Sequence, residues 1–351
     1  MIKNLFGIAI DELKTELSTL NIPAFRADQI AAWIYKRGAE SFDEMTDLSK
    51  NLRQQLNDLY TIRMVELIDK LESKDELTTK FLLQFKDGTN VETVLMRHNY
   101  GNSICISTQA GCAMGCKFCA STLKGLQRNL TAAEILAEVV FVNNMLGLKN
   151  EKVDTIVIMG IGEPLMNFDN LIQFLRLIHE PYTLNLSYRK ITISTCGIVP
   201  NIYKLAELNL PITLSISLHA PNNELRSQLM PINNNFDINE VTTAGRDYGD
   251  KTGRRVTYEY ILIDKVNDTI EHARQLSTLL KNQLANVNLI PINPVAEKDF
   301  RRPSKERVKR FYDYLNSHGI GATIRKEMGA GINAACGQLR ISHNNTYGDE
   351  R

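Results

Sequence analysis

The spacing of apolar residues changes character along the chain. Near the N-terminus apolar positions recur every three or four residues. Ile10, Leu13, Leu17 and Leu20 predict a helix that Asn21-Ile22-Pro23 stops. Phe25, Ile30, Trp33 and Ile34 predict a second, with these side chains facing inward and Gly38 ending it. Leu48, Leu52, Leu56 and Leu59 mark a third. Residues 1 to about 72 therefore read as helical, giving a small N-terminal unit over 1–75.

The period then shortens. Thr79–Phe85 and Asn90–Met96 are strand-like runs flanking Lys86-Asp87-Gly88, and Asp-Gly between such runs signals a hairpin. A β-hairpin over 76–97 is expected to connect the N-terminal unit to the rest. Glu92 falls inside its second run, where spacing alone makes it a solvent-facing strand carboxylate.

From residue 98 to 331 strands and helices alternate. Strands are expected at 104–108, 153–159, 190–195, 212–218, 255–263 and 286–292, with 321–325 as a possible extra. Helices are expected at 131–146, 168–179, 200–208, 237–250, 269–283 and 304–317. Thr131-Ala132-Ala133-Glu134 is a capping box. The alternation predicts an α/β fold with a parallel sheet. Too few units are present for an eightfold barrel, so a partial (β/α)6 barrel is expected, with function at the C-terminal ends of its strands. Residues 332–351 follow as a loop and tail, of which 344–351 are polar and expected to fray.

Composition narrows the function classes. Lys and Arg exceed Asp and Glu by only one, so any nucleic-acid partner must be held by local patches rather than a global field. Arg301-Arg302, Lys305, Arg307, Lys309-Arg310 and Arg325-Lys326 form the densest basic group. Lys124, Arg128, Arg189 and Lys190 lie nearer the expected barrel mouth. Arg26, Lys36, Arg37, Lys50 and Arg53 lie on the N-terminal helices. Each suits a phosphate; on the N-terminal helices a solvated face is an equal reading, and elsewhere an ordinary solvated charge is the commoner one. No run of about 18 apolar residues occurs, so no membrane span is expected. The start of the chain lacks a signal-peptide core, and unpaired, clustered cysteines suit a reducing, cytoplasmic setting.

Three of the six cysteines lie in one loop after the first core strand: Cys112, Cys116 and Cys119, spaced C-x3-C-x2-C. Gly111 and Gly115 let that backbone fold back on itself. Four thiolates are the usual full set for an iron–sulfur cluster, so three leave one iron open to a ligand. A zinc knuckle or three structural thiols are the alternatives, but no fourth Cys or His lies at zinc spacing.

Other motifs sit at the remaining strand ends. Gly160-Ile161-Gly162-Glu163-Pro164 offers close backbone approach and a carboxylate that accepts from an amine. Ser194-Thr195-Cys196-Gly197, Ser217-Leu218-His219 and Ile292-Asn293 offer hydroxyl, imidazole and amide groups. Each alone is more often structural, but four at equivalent strand ends favour one shared ligand pocket. Cys336, amid Gly331, Ala334, Ala335 and Gly337, is a buried apolar thiol or a nucleophile on a mobile loop. Cys105, on the strand before the cluster loop, is the obvious partner thiol.

The cysteine spacing resembles the radical S-adenosylmethionine (SAM) superfamily, and the Gly162-Glu163 turn is similar to the element by which those enzymes bind the methionyl amine. QAGCAMGCKFCAST, MGIGEPLMN, ISLHAPN with LMPIN, and NAACGQL together resemble bacterial RNA methyltransferases that modify an adenine ring carbon, from about Glu92 to Leu339. Gly162-Glu163-Pro164-Leu165 is similar to the branch that methylates C2 in both 23S rRNA and tRNA. A C8-methylating branch, which confers antibiotic resistance, resembles Gly-Glu-Ala-Leu there.

The resemblance implies a [4Fe-4S] cluster on Cys112, Cys116 and Cys119. It implies SAM contacts at Gly162, Glu163, Ser194, Ser217, Leu218, His219 and Asn293. It implies that Cys336 takes a methyl from one SAM and that a radical made from a second removes a hydrogen from it. The resulting methylene joins adenine C2, an electron-poor carbon unsuited to polar methyl transfer. It further implies Glu92 as proton acceptor and Cys105 as the thiol that releases product through a transient disulfide. A reductant such as flavodoxin or ferredoxin is implied as a partner. A C8 methyltransferase and a non-catalytic iron–sulfur RNA-binding protein remain alternatives. Two departures stand out. Asn333 occupies a position where relatives resemble Asp, and Cys196 one where Ser is usual.

Overall fold

A computed structural model describes residues 2–340; the tail expected to fray lies outside the described residues. The chain opens with β1 (Lys3–Asn4), α1 (Ile10–Ser18), α2 (Phe25–Lys36), α3 (Lys50–Leu59) and β2 (Tyr60–Thr61), and β1 pairs with β2 in parallel. Leu13, Leu17, Ile30, Ile34 and Leu56 are buried, as their spacing predicts. Phe25 and Leu59 are exposed instead, and Arg26 lies over the Phe25 ring. Trp33 is half-buried because its indole N–H reaches out to Asp47.

The helical reading runs too far. Val65–Glu72 is a strand, β3, paired antiparallel with β4 (Thr78–Phe85), which pairs with β5 (Asn90–His98). Leu67 and Leu71 fit a helical period, but the edge of β4 offers a ladder of backbone partners that the spacing alone does not reveal. A register shift between Leu67 and Asp69 accommodates the irregular pattern.

The expected alternation follows. It begins with β6 (Gly101–Cys105), the short ribbon β7 (Gln109–Gly111) and β8 (Leu126–Asn129), α4 (Ala132–Gly147), β9 (Thr155–Ile158) and α5 (Phe168–His179). It continues through β10 (Ile191–Thr195), α6 (Val199–Glu207), β11 (Thr213–Ser217), α7 (Asn223–Leu229), α8 (Ile238–Thr252) and β12 (Val256–Leu262). It ends with α9 (Ile270–Leu279), β13 (Ala285–Pro291), α10 (Lys305–Ser317) and β14 (Ala322–Ile324). Strands β6 and β9 to β14 run parallel, and β5, β4 and β3 extend the same sheet antiparallel from the β6 edge. The Thr131–Glu134 capping box forms at the start of α4.

Strands β4 and β5 are buried on both faces. Toward α4, Phe81 meets the Phe141 ring edge-on at 5.7 Å. On the other face, Val94 packs with Cys105, Ala334 and Leu339. Glu92 is therefore 1% exposed, and the solvent-facing reading of its strand is wrong. The hairpin is an interior wall between a helix and the segment carrying Cys336.

Candidate active site

The cluster loop is a hairpin tip closed at its base. Ribbon β7–β8 pairs antiparallel, and the Cys112 amide donates to the Gly125 carbonyl at 3.0 Å. Gly115 turns the tip with φ +69°, where an L side chain is strained. Cys112, Cys116 and Cys119 line one cavity with Gly162, Glu163, Ser194, Ser217, His219 and Cys336. Burial pushes all three loop thiols up, Cys112 to about 12, and each is pushed further by a neighbouring cysteine. A bound cation is what relieves such a set.

Glu163 stands opposite them at the end of β9. Gly162 has φ +105°, and a Cβ there would lie 2.6 Å from the Gln109 side chain, so the turn needs glycine. The Glu163 carboxylate accepts from Thr195 Oγ1 at 2.7 Å, the Cys196 amide at 2.7 Å and the Leu165 amide at 3.0 Å. Burial raises its pKa, while these donors favour the carboxylate. His219 sits at φ +58°, with Nδ1 accepting from the Ile261 amide at 3.0 Å. The ring proton is thereby assigned to Nε2, and burial keeps the imidazole neutral, with a pKa of about 3. Phe118 of the cluster loop meets this ring edge-on at 4.8 Å.

Cys336 lies on the wall of two cavities. The second is lined by Cys105, Asn293, Met159, His98, Tyr100 and Arg325, among others. Asn293 Nδ2 donates to the Cys336 carbonyl at 3.3 Å, and its Oδ1 is buried without a protein partner among the described residues. The cluster loop holds this segment directly. The Ala120 amide donates to the Gly337 carbonyl at 2.8 Å, and Ser121 Oγ donates to the Leu339 carbonyl at 2.7 Å.

Glu92 lines neither cavity. It lies behind the Cys336 segment, 3.0 Å from Lys80 Nζ, with Oε2 accepting from the Arg340 amide at 2.9 Å. Lys80 also donates to the Asn333 carbonyl at 3.3 Å. The pair thus grips both ends of the segment from Asn333 to Arg340. Asn333 adopts φ +51°, a left-handed conformation that Asn and Asp both tolerate, which accounts for either residue at that position.

Leu218 is also off the wall, with its side chain fully buried in the core. Two residues that the spacing does not single out for the site do belong to it. Arg325 faces both cavities, and fully buried Arg226 donates to the carbonyls of Cys196 at 2.7 Å and Ser217 at 3.4 Å. Lys80 was legible in principle. The Asp-Gly hairpin pairs Leu82 with Glu92, which puts Lys80 diagonally across on the same face.

Much of the basic group is already engaged. Arg307 pairs with buried Asp268, Lys309 with Asp313, Arg302 with Glu327, and Arg128 with both Asp87 and Glu134. Lys117 and Lys124 remain exposed beside the cluster loop.

The radical SAM superfamily matches residues 106–277, and the ribosomal RNA large subunit methyltransferase N-terminal domain matches residues 3–62. A probable dual-specificity RNA methyltransferase RlmN of Symbiobacterium thermophilum is 52% identical over 95% of this chain and 90% of its own. One of the same name from Desulforamulus reducens is 51% identical over 96% and 95%. The chain belongs to the RlmN family of radical SAM proteins. A crystal structure of a radical SAM methyltransferase from Sphaerobacter thermophilus superposes with a TM-score of 0.94 at 42% identity, covering 97% of this chain and all of that one.

As in the rest of the superfamily, the cofactors are a [4Fe-4S] cluster and SAM. The RlmN-family fold suits both. Three thiols lining one cavity, a glycine turn too tight for a Cβ, and the orphaned Asn293 acceptor suit a sulfur-bound cluster and a polar ligand. No helix among the described residues is long and apolar enough to cross a membrane.

Proposed function

We propose that the protein methylates C2 of an adenine in 23S rRNA and in tRNA, using two SAM per turnover and Cys336 as the methyl carrier. The observation that carries this reading is the place of Cys336 on the wall between two cavities. One holds the cluster cysteines and Glu163, and the other holds Cys105. A sulfur there receives a carbon from one side and presents it to a base on the other. When bound, the cluster and SAM supply an electron and a carbon-centred radical.

The residues divide the work. Cys112, Cys116 and Cys119 hold the cluster. Glu163 takes the SAM amine, and the Nε2–H of His219 donates into the same cavity. Gly162, Ser194, Ser217 and the Leu218 main chain complete the SAM site with Asn293. In the second cavity the stacked rings of His98 and Tyr100, 4.6 Å apart at 8°, suit a base withdrawn from its stack. Lys326 on the same wall suits its phosphates. Glu92 accepts the C2 proton once the Asn333–Arg340 segment withdraws, and Cys105 then releases the product by disulfide formation.

The N-terminal unit over 1–75 holds RNA, and 76–97 forms the wall behind the methyl carrier on 332–351. The core over 98–331 carries the cofactors. The setting is cytoplasmic, with a flavodoxin or ferredoxin as electron donor.

The test is anaerobic reconstitution with iron, sulfide, SAM and dithionite, followed by mapping of the methyl group on both RNAs by mass spectrometry. Methyl-C2 adenine with release of 5′-deoxyadenosine is expected. Methyl at C8 alone replaces the assignment, and no 5′-deoxyadenosine ends the radical reading.

A further inference from the structure

Arg226 lies on α7, and its side chain is fully buried. Nη2 donates to the Cys196 carbonyl at 2.7 Å and to the Ser217 carbonyl at 3.4 Å. Nη1 donates to Asn233 Oδ1 at 2.9 Å and to the Phe236 carbonyl at 3.2 Å. These acceptors are all neutral oxygens, and Nε is buried without a hydrogen-bond partner among the described residues. Burying a cation in this way is costly, and an apolar side chain could fill the same space. What the planar fork adds is direction. One guanidinium reaches the turn after β10 and the end of β11 together.

The turn after β10 is the one that wraps Glu163. Thr195 Oγ1 and the Leu165 amide donate to Glu163 Oε1, and the Cys196 amide donates to Oε2 at 2.7 Å. A carboxylate has about four acceptor sites, so three donors leave room for one from a ligand. Gly197 closes the turn at φ +101°, and its amide donates to Thr195 Oγ1 at 3.1 Å. A glycine turn reorients readily unless its carbonyls are pinned. Arg226 pins the Cys196 carbonyl, so the Cys196 backbone is held at both ends, by Arg226 and by Glu163. The end of α7 is itself tied to the cluster loop, where the Lys117 amide donates to the Leu229 carbonyl at 2.9 Å.

We infer that Arg226 is a positioning residue for the SAM amine: by bracing the Cys196 carbonyl it fixes the backbone turn that aims the Glu163 carboxylate. This rests on Glu163 taking that amine. Arg226 acts from behind the wall, through Cys196 and Ser217, which line the cavity. Its loss therefore costs affinity for ligands that carry the amine and spares those that lack it.

The experiment measures dissociation constants by equilibrium dialysis on the cluster-loaded protein. The ligands are S-adenosylhomocysteine and its desamino analogue, which lacks only the amine. Arg226→Met is expected to weaken the first at least about tenfold, the scale of one charge-assisted hydrogen bond, and to leave the second within about threefold. Arg226→Lys replaces it if the Met form does not load the cluster. A single ammonium cannot span the same carbonyls, so a loss of at least about threefold, again confined to the amine-bearing ligand, is expected. Equal weakening of both ligands, or no weakening of S-adenosylhomocysteine, overturns the inference. Glu163→Gln separates this from the reading beneath it, and is expected to lower the preference for the amine at least about tenfold. If Glu163→Gln keeps the preference, the assignment of the amine to Glu163 fails and this inference with it. If Glu163→Gln loses the preference and the Arg226 variant keeps it, this inference alone fails.

Discussion

Glu92 and Lys80 form an ion pair of 3.0 Å inside the protein, with side chains 1% and 5% exposed. From this pair one hydrogen bond reaches the Asn333 carbonyl and another comes from the Arg340 amide. The carboxylate proposed above as the proton acceptor is thus also the clasp on the segment that carries Cys336.

Lys80→Met removes one side of this buried ion pair. Breaking one side of a buried pair typically costs about 3–5 kcal/mol. We expect a loss of that order in urea unfolding, with faster proteolysis between Asn333 and Arg340. A loss under about 1 kcal/mol would show that other contacts hold the segment.

The two cysteines should fail differently. Cys336→Ala is expected to keep its iron and sulfide content yet lose all RNA methylation. Cys105→Ala is expected to accumulate a covalent protein–RNA adduct, seen as a band shifted on denaturing gels and abolished by nuclease. Normal turnover by Cys105→Ala would reject its resolving role.

Asn333→Asp should leave unfolding free energy within about 0.5 kcal/mol, because both residues tolerate φ +51°. Asn333→Val should cost about 1–2 kcal/mol, since a branched side chain does not. Equal stabilities for the two variants would remove the backbone explanation of this position.

Glu138 supplies a pH dependence. It is fully buried on α4, accepting from Thr93 Oγ1 and the Ser107 amide, and burial raises its pKa from 4.5 to about 8. Between those values the folded protein holds a proton that the unfolded chain has released. Its contribution is therefore complete below about pH 4.5 and lost as pH rises through 8, at no more than about 1.4 kcal/mol per unit. Urea unfolding from pH 5 to 8 should show wild type losing stability relative to Glu138→Gln. Parallel pH profiles would mean that Glu138 is ionised throughout.

Much of this was legible along the chain. The βα alternation depends on local periodicity, so each expected core strand and helix is found close to where spacing places it, while the short α7 and the β7–β8 ribbon carry no such period and are found only in the structure. The three cluster cysteines and Gly162-Glu163 are dense motifs whose chemistry depends on neighbours in sequence. Val65–Glu72 was misread because an edge strand takes its identity from its partner, not from its own spacing.

The sequence by itself determined which residues carry sulfur, which turns need glycine and how the units repeat. Only the tertiary structure decided that Glu92 is buried against Lys80, that Cys336 lies on the wall of two cavities, and that Arg325 lines both of them. Those relations join residues up to about 250 positions apart, and they arise from packing a loop against a sheet. No local period encodes such contacts, because burial and charge pairing are set by whatever the finished fold brings alongside.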